Sequence, residues 1–251
     1  MKKIISLSSI LAILLSQAGC VGNIEQKNEE LISALIKGDT EVAKNLLNSG
    51  ASANAVSEEN MSVLMLATWL GEKDIVSLLL AKGAKVNIQD ENGYTALMLA
   101  SNKKYSEIVK MLIAAGADVN IADMNGSTAL MFACEAGDAD SVKTLLDAKA
   151  NIDARNNEGK TALRQASING HTEAVRLLLS ANADVNSQDK YGRTALMSAS
   201  MNNHIKIVQS LIAAGANVNL KDSEGGTALD DAELNKNTEV IALLKAAGAN
   251  K

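Results

Sequence analysis

Two histidines, His171 and His204, two cysteines, Cys20 and Cys134, and a row of aspartates, Asp90, Asp123, Asp189 and Asp222, are the side chains that could bind a metal, attack a carbonyl or exchange a proton. Their spacing argues against all three. The histidines are 33 residues apart, and the aspartates are separated by 33 residues or a multiple of it. Local metal-binding motifs place their ligands at short spacings set by one helix or one loop, whereas a period of this length marks a repeated structural unit. The aspartates therefore read as turn residues and the histidines as one recurring position. No G-x-S-x-G, H-E-x-x-H or phosphate-cradling glycine loop occurs. The expectation is no enzyme, no cofactor, no metal and no small-molecule substrate. Cys134, one residue after a recurring alanine, reads as a buried small hydrophobe, with a reactive thiol as the alternative.

The elements that position these residues follow from the period. Thr95, Thr128, Thr161, Thr194 and Thr227 are 33 residues apart and each is followed by Ala-Leu, with Ser62 in the same column one period earlier. Within the unit from Asp90 to Ala122, Asp90 and Gly93 form an Asp-x-x-Gly turn. Thr95 is placed to cap a first helix. Ile108, Val109, Leu112 and Ile113 make the apolar stripe of a second helix over about Ser106 to Ala114, and Gly116 ends it in the left-handed conformation. Helices this short are marginal alone, so stability must come from stacking on neighbours. Ala67, Ala100, Ala133, Ala166, Ala199 and Ala232 recur at the seam and permit close approach. The composition, 47% hydrophobic with 2% aromatic, suits such packing and not disorder.

These features resemble the ankyrin repeat family: the 33-residue period, D-x-x-G-x-T-A-L-x-x-A, the second helix Glu173, Val175, Leu177 and Leu178, and the ending Gly116 to Asn120. The resemblance implies an all-α solenoid of stacked helix-turn-helix units joined by β-turns, with about seven repeats including caps, near 28–55, 56–89, 90–122, 123–155, 156–188, 189–221 and 222–251. It also implies a protein-binding module. The family's T-P-L-H is here T-A-L-M, with Met98, Met131 and Met197 replacing His and Arg164 doing so once, and proline is absent throughout. The Thr-to-His hydrogen bond of the family is thereby lost. The first unit lacks T-A-L and is expected to cap the array with its outer face toward water, and the polar TALDDAEL opens a C-terminal cap. At the column that ends the second helix, Lys149 and Asn182 replace glycine, which predicts a locally weaker fourth unit.

Residues 1–20 follow another code. Met1-Lys2-Lys3 is a basic start, Ile4 to Leu15 is apolar but too short to span a bilayer, and Ala18-Gly19-Cys20 ends in small residues and a cysteine. The segment resembles a bacterial lipoprotein signal, with Gln17 where leucine is usual. This implies lipidation of Cys20, a membrane anchor at the new N-terminus, and an outer-membrane protein facing the periplasm. The alternatives are simple secretion into the periplasm and an uncleaved anchor. Residues 21–27 read as a linker and 28–251 as the repeat domain. Removing the signal leaves 22 Lys and Arg against 29 Asp and Glu, and no basic patch suits nucleic acid. A monomer is expected.

In a stacked array the fixed positions build the core and the variable ones line a concave face. The position after the turn glycine reads Met61, Tyr94, Ser127, Lys160, Arg193, Gly226. A position late in the first helix reads Trp69, Asn102, Glu135, Ile168, Met201, Leu234. Met61, Trp69, Tyr94, Ile168, Tyr191, Arg193 and Met201 are the expected protein-binding residues, since exposed amphipathic aromatics and large apolar side chains anchor interfaces. For Trp69 the alternative is local packing under the degenerate second turn. Tyr105 and Phe132 read as packing. The sequence thus points to an envelope-located array that binds a protein as scaffold or inhibitor, with a passive surface lipoprotein as the rival.

Overall fold

The computed structural model describes residues 23–57 and 60–250, and the predicted signal segment with Cys20 lies outside them. The chain divides into two compact units between Glu91 and Asn92. The first contains α1 (residues 23–37) and α2 (Thr40–Asn48), then α3 (Val63–Leu70) and α4 (Lys73–Ala81). Residues 23–27, placed in a linker by composition, belong to α1; Glu25, Gln26 and Lys27 are good helix formers.

The second unit repeats the same hairpin five times: α5 (Ala96–Asn102) with α6 (Ser106–Ala114), α7 (Ala129–Ala136) with α8 (Ala139–Asp147), α9 (Ala162–Ile168) with α10 (Thr172–Ser180), α11 (Ala195–Met201) with α12 (Ile205–Ala213), and α13 (Ala228–Leu234) with α14 (Thr238–Ala246). In the second unit first helices pack on first helices and second on second, and in the first unit α2 packs on α4. Among the described residues the only extended pairings are isolated bridges such as Ala122 with Thr128.

Most first helices start at a capping side chain, although Thr128 in the same column makes no such bond. The hydroxyls of Ser62, Thr95, Thr161 and Thr194 accept the amide three residues on, which satisfies one orphan donor of each first helix. The seam alanines, Ala67, Ala100, Ala133, Ala166, Ala199 and Ala232, are fully buried. Repeats are stitched by two further devices. The amide of Asn151 donates to the side-chain oxygen of Asn120 at 2.7 Å, and Asn217 does the same to Asn186 at 2.7 Å. Adjacent turns also share backbone bonds, Asn157 to Asn125 at 2.7 Å and Ser223 to Tyr191 at 2.9 Å. This is why glycine is needed at Gly192: its φ is +74°, and a Cβ there would lie 2.9 Å from Cα of Asp222.

The lost Thr-to-His bond is replaced locally. In α11 the amide of Thr194 donates to the sulfur of Met197 at 3.4 Å, and in α13 the Asp230 carboxylate accepts from the Thr227 amide at 2.9 Å and hydroxyl at 2.7 Å. Lys149 and Asn182 adopt the left-handed conformation of the glycines they replace, at φ 66° and 64°.

Candidate protein-binding face

The chemistry-bearing residues are structural. Asp123 and Asp189 are buried turn residues: one oxygen of Asp123 accepts the amides of Asn125 and Ser127, and one of Asp189 those of Tyr191 and Arg193. The His171 ring meets the carbonyl of Glu135 at 2.9 Å and the His204 ring that of Ile168 at 3.2 Å. Asn237, in the same column, donates to the carbonyl of Ser200 at 2.8 Å. All three close the carbonyl end of the preceding first helix, where backbone acceptors lack helical partners. Cys134 is fully buried, and burial pushes its thiol far above the ordinary range, so it holds no reactive thiolate. Among the described residues no group of His, Cys, Asp and Glu could hold a metal, and no helix is long and apolar enough to cross a membrane.

The predicted binding residues separate into two sets. In the first unit Trp69 is 46% exposed at the end of α3. Met61 is half-buried, its amide held by the Ser57 hydroxyl and its carbonyl accepting the Ser57 amide. In the second unit Tyr191 projects from a turn tip, 60% exposed, and Ile168 ends α9 with about a third of its surface free. Met201 ends α11 half-buried, in the same column as Ile168. Leu234, one period further on, is the most exposed of the large apolar side chains described in the unit.

Tyr94 and Arg193 sit differently. Tyr94 is half-buried with its ring centroid 5.5 Å from that of Phe132. Arg193 is drawn onto the last repeat, its guanidinium 2.7 Å from Asp231 and 3.5 Å from Asp222. Burial raises the Asp231 carboxyl above its usual range, partly offset by Arg193. Both side chains tie one repeat to the next rather than standing free.

One exposed residue was not singled out by the sequence reading: Met124, 71% exposed on a turn tip. Its signal was available, because the same column otherwise holds Asn157, Lys190 and Ser223. Met124, Tyr191, Ile168 and Leu234 are the exposed large hydrophobics described in the second unit, and all lie on turn tips or first-helix ends. The second helices of that unit expose none.

One buried charge stands out. Arg164 occupies the column held elsewhere by Met98, Met131 and Met197, with its side chain 8% exposed and 3.1 Å from the fully buried Asp189 carboxylate. Its Nε and Nη1 have no hydrogen-bond partner. Burial lowers its pKa, and the charge of Asp189 acts against that.

No curated protein matches this chain. A family model described as ankyrin repeats, in three copies, matches residues 31–123, 97–189 and 181–251. These overlapping matches run from α1 to the chain's end and agree with the helix-turn-helix pairs, their glycine and aspartate turns and their buried alanine seams, so the chain belongs to the ankyrin repeat family.

Proposed function

We propose that this is a cell-envelope lipoprotein, anchored through Cys20, whose ankyrin repeats bind a partner protein through the turn-tip and first-helix side. Ankyrin repeats are in general protein–protein interaction modules and typically non-enzymatic. The observation that carries the reading here is that the exposed large hydrophobics described in the second unit, Met124, Tyr191, Ile168 and Leu234, all lie on turn tips or first-helix ends and none on a second helix, the positions at which a repeat array presents its anchors. Trp69 offers a comparable anchor on the first unit. The partner acts in the periplasm, and the array scaffolds or inhibits it by presenting side chains already ordered by packing, which limits the entropy cost of association.

Two measurements test the parts separately. Capture from the source cell's envelope, with the parent and a Tyr191→Ala, Leu234→Ser variant of equal stability, should retain one protein on the parent alone. Equal capture by both, or none, would leave the face without a partner and favour a passive surface role. Mass spectrometry of the mature N-terminus should find acyl groups on Cys20, absent in Cys20→Ala. An unmodified Cys20 would end the lipoprotein assignment without touching the binding one.

A further inference from the structure

Among the exposed large apolar side chains described, Val42 alone lies on a second helix, at 49% exposure. Its column is otherwise a stacking column. Ile75 is 0% exposed in the first unit, and in the second Ser141, Ala174, Ile207 and Val240 are between 0% and 2%. Leu46, one turn on, is half-buried, while Leu79, Leu145, Leu178, Leu211 and Leu244 in its column are all fully buried. In those repeats the previous hairpin covers the two positions. In the first repeat no described residue does so fully, although Ala43 and Leu47 on the same helix are buried and α2 packs on α4. A cap meeting water would carry polar residues at Val42 and Leu46. Instead the outer face of α1 and α2 keeps the apolar floor of an interior repeat, in a groove of about 270 Å³ that also includes Ala34.

The rim decides what fits. Glu30, Lys37 and Asp39 line the groove and put both signs of charge at its edge. Asp39 stands at the N-cap of α2 yet makes no capping bond, whereas Asp138 in the same column of α8 caps Ser141. Residues 23–50 carry five carboxylates against three lysines, which disfavours an anionic bilayer surface. A face with an apolar floor and a mixed-sign rim is complementary to itself where a two-fold axis sets its cation opposite its carboxylate, as Lys37 and Asp39 allow.

We infer that this outer face docks a second copy of the chain, first repeat to first repeat across a two-fold axis. Val42 and Leu46 of each copy cover those of the other, and Lys37 of one meets Asp39 of the other. One repeat face is small beside the surface a tight complex buries, so the dimer is weak in solution, and anchoring both copies in one membrane would raise their effective concentration. The inference goes beyond the proposed partner binding and holds whether or not Cys20 is acylated.

The test is sedimentation equilibrium of the full-length chain in mild detergent, with the detergent mass subtracted. The parent should pass from monomer to dimer with a dissociation constant between about 10 µM and about 500 µM. Val42→Lys should weaken this at least about tenfold, since it puts an amine on the apolar floor. Lys37→Asp should weaken it by setting like charges across the axis, and Lys37→Asp with Asp39→Lys should restore it, because the reversed pair is again self-complementary. The charge pair is fully on the surface and carries the test should Val42→Lys fail to fold. A parent that stays monomeric at about 500 µM, a Val42→Lys chain that dimerises like the parent, or a reversal that restores nothing overturns the inference. So does a monomeric parent whose binding to phosphatidylethanolamine–phosphatidylglycerol vesicles depends on Val42, because the bilayer would then be the occupant.

Discussion

Replacing Arg164 by methionine should leave the protein as stable as the parent or more so, although it breaks a buried ion pair. Removing one partner of such a pair commonly costs about 3–5 kcal/mol, because the other charge is left unanswered. Two features argue for a different outcome here. First, the pair is poorly satisfied. At 3.1 Å the gross attraction is about 5 kcal/mol for an effective dielectric of about 20. Against it stand two buried guanidinium nitrogens without partners and an Asp189 oxygen that receives no hydrogen bond, each costing about 1–3 kcal/mol, besides the desolvation of both charges.

Second, the chain contains its own control. Asp123 is buried to the same degree as Asp189 and holds two turn amides in the same way, yet Met98 stands in the column preceding it where Arg164 precedes Asp189. A turn aspartate therefore keeps its place without a buried cation. Met98, Met131 and Met197 are all within 1% of full burial, so the side chain suits the site, and helix propensity barely changes. The expected effect of Arg164→Met runs from none to about 2 kcal/mol of stabilisation. Stacked repeats need not unfold in one step, so denaturant melts should be joined by hydrogen exchange at amides of α9 and α11, whose protection should hold or rise. A loss of 3 kcal/mol or more, centred on those helices, would show that Asp189 depends on Arg164 and refute the comparison with Asp123.

Gly137→Ala should destabilise its repeat by clearly more than the about 1–2 kcal/mol of left-handed strain alone, because the added carbon would collide with the His171 ring; Gly83→Ala, at φ +80° with nothing within 4 Å, should show only the strain, and equal melts for the two would discount the ring contact. Lys149→Gly should stabilise by about 0.5–1 kcal/mol by relieving the left-handed lysine at φ 66°, read as increased protection in α8; no gain would mean that Lys149 is held there by contacts worth as much as the strain. Asp231 gives a pH dependence. Its folded pKa is raised, chiefly by burial, so the stability it contributes is present below the ordinary carboxylate range and is lost as pH rises through the raised value. Asp231→Asn should therefore gain on the parent between about pH 3 and pH 7, and a constant difference across that range would contradict the assignment.

The period made the repeats readable, and with them every contact a residue makes through its own column. Turn aspartates, capping threonines, seam alanines and the left-handed Lys149 all follow from where a residue stands within 33. Contacts between different columns of neighbouring repeats did not show. Tyr94 stacks on Phe132 and Arg193 pairs with Asp231, and both partnerships span 38 residues, one period plus five. In these two repeats the position after the turn glycine touches the fourth residue of the next first helix. Variation in that column is matched inside the array, aromatic to aromatic and cation to carboxylate, so variability alone did not mark Tyr94 and Arg193 as partner-facing. Ile168, Met201 and Leu234 end their helices with no such pairing among the side-chain contacts described. The first repeat hid its character for a related reason. Val42 and Leu46 are ordinary interior residues in sequence, yet no described residue covers them. A column reports what a position normally packs against; whether a neighbour stands against it is not written in the column.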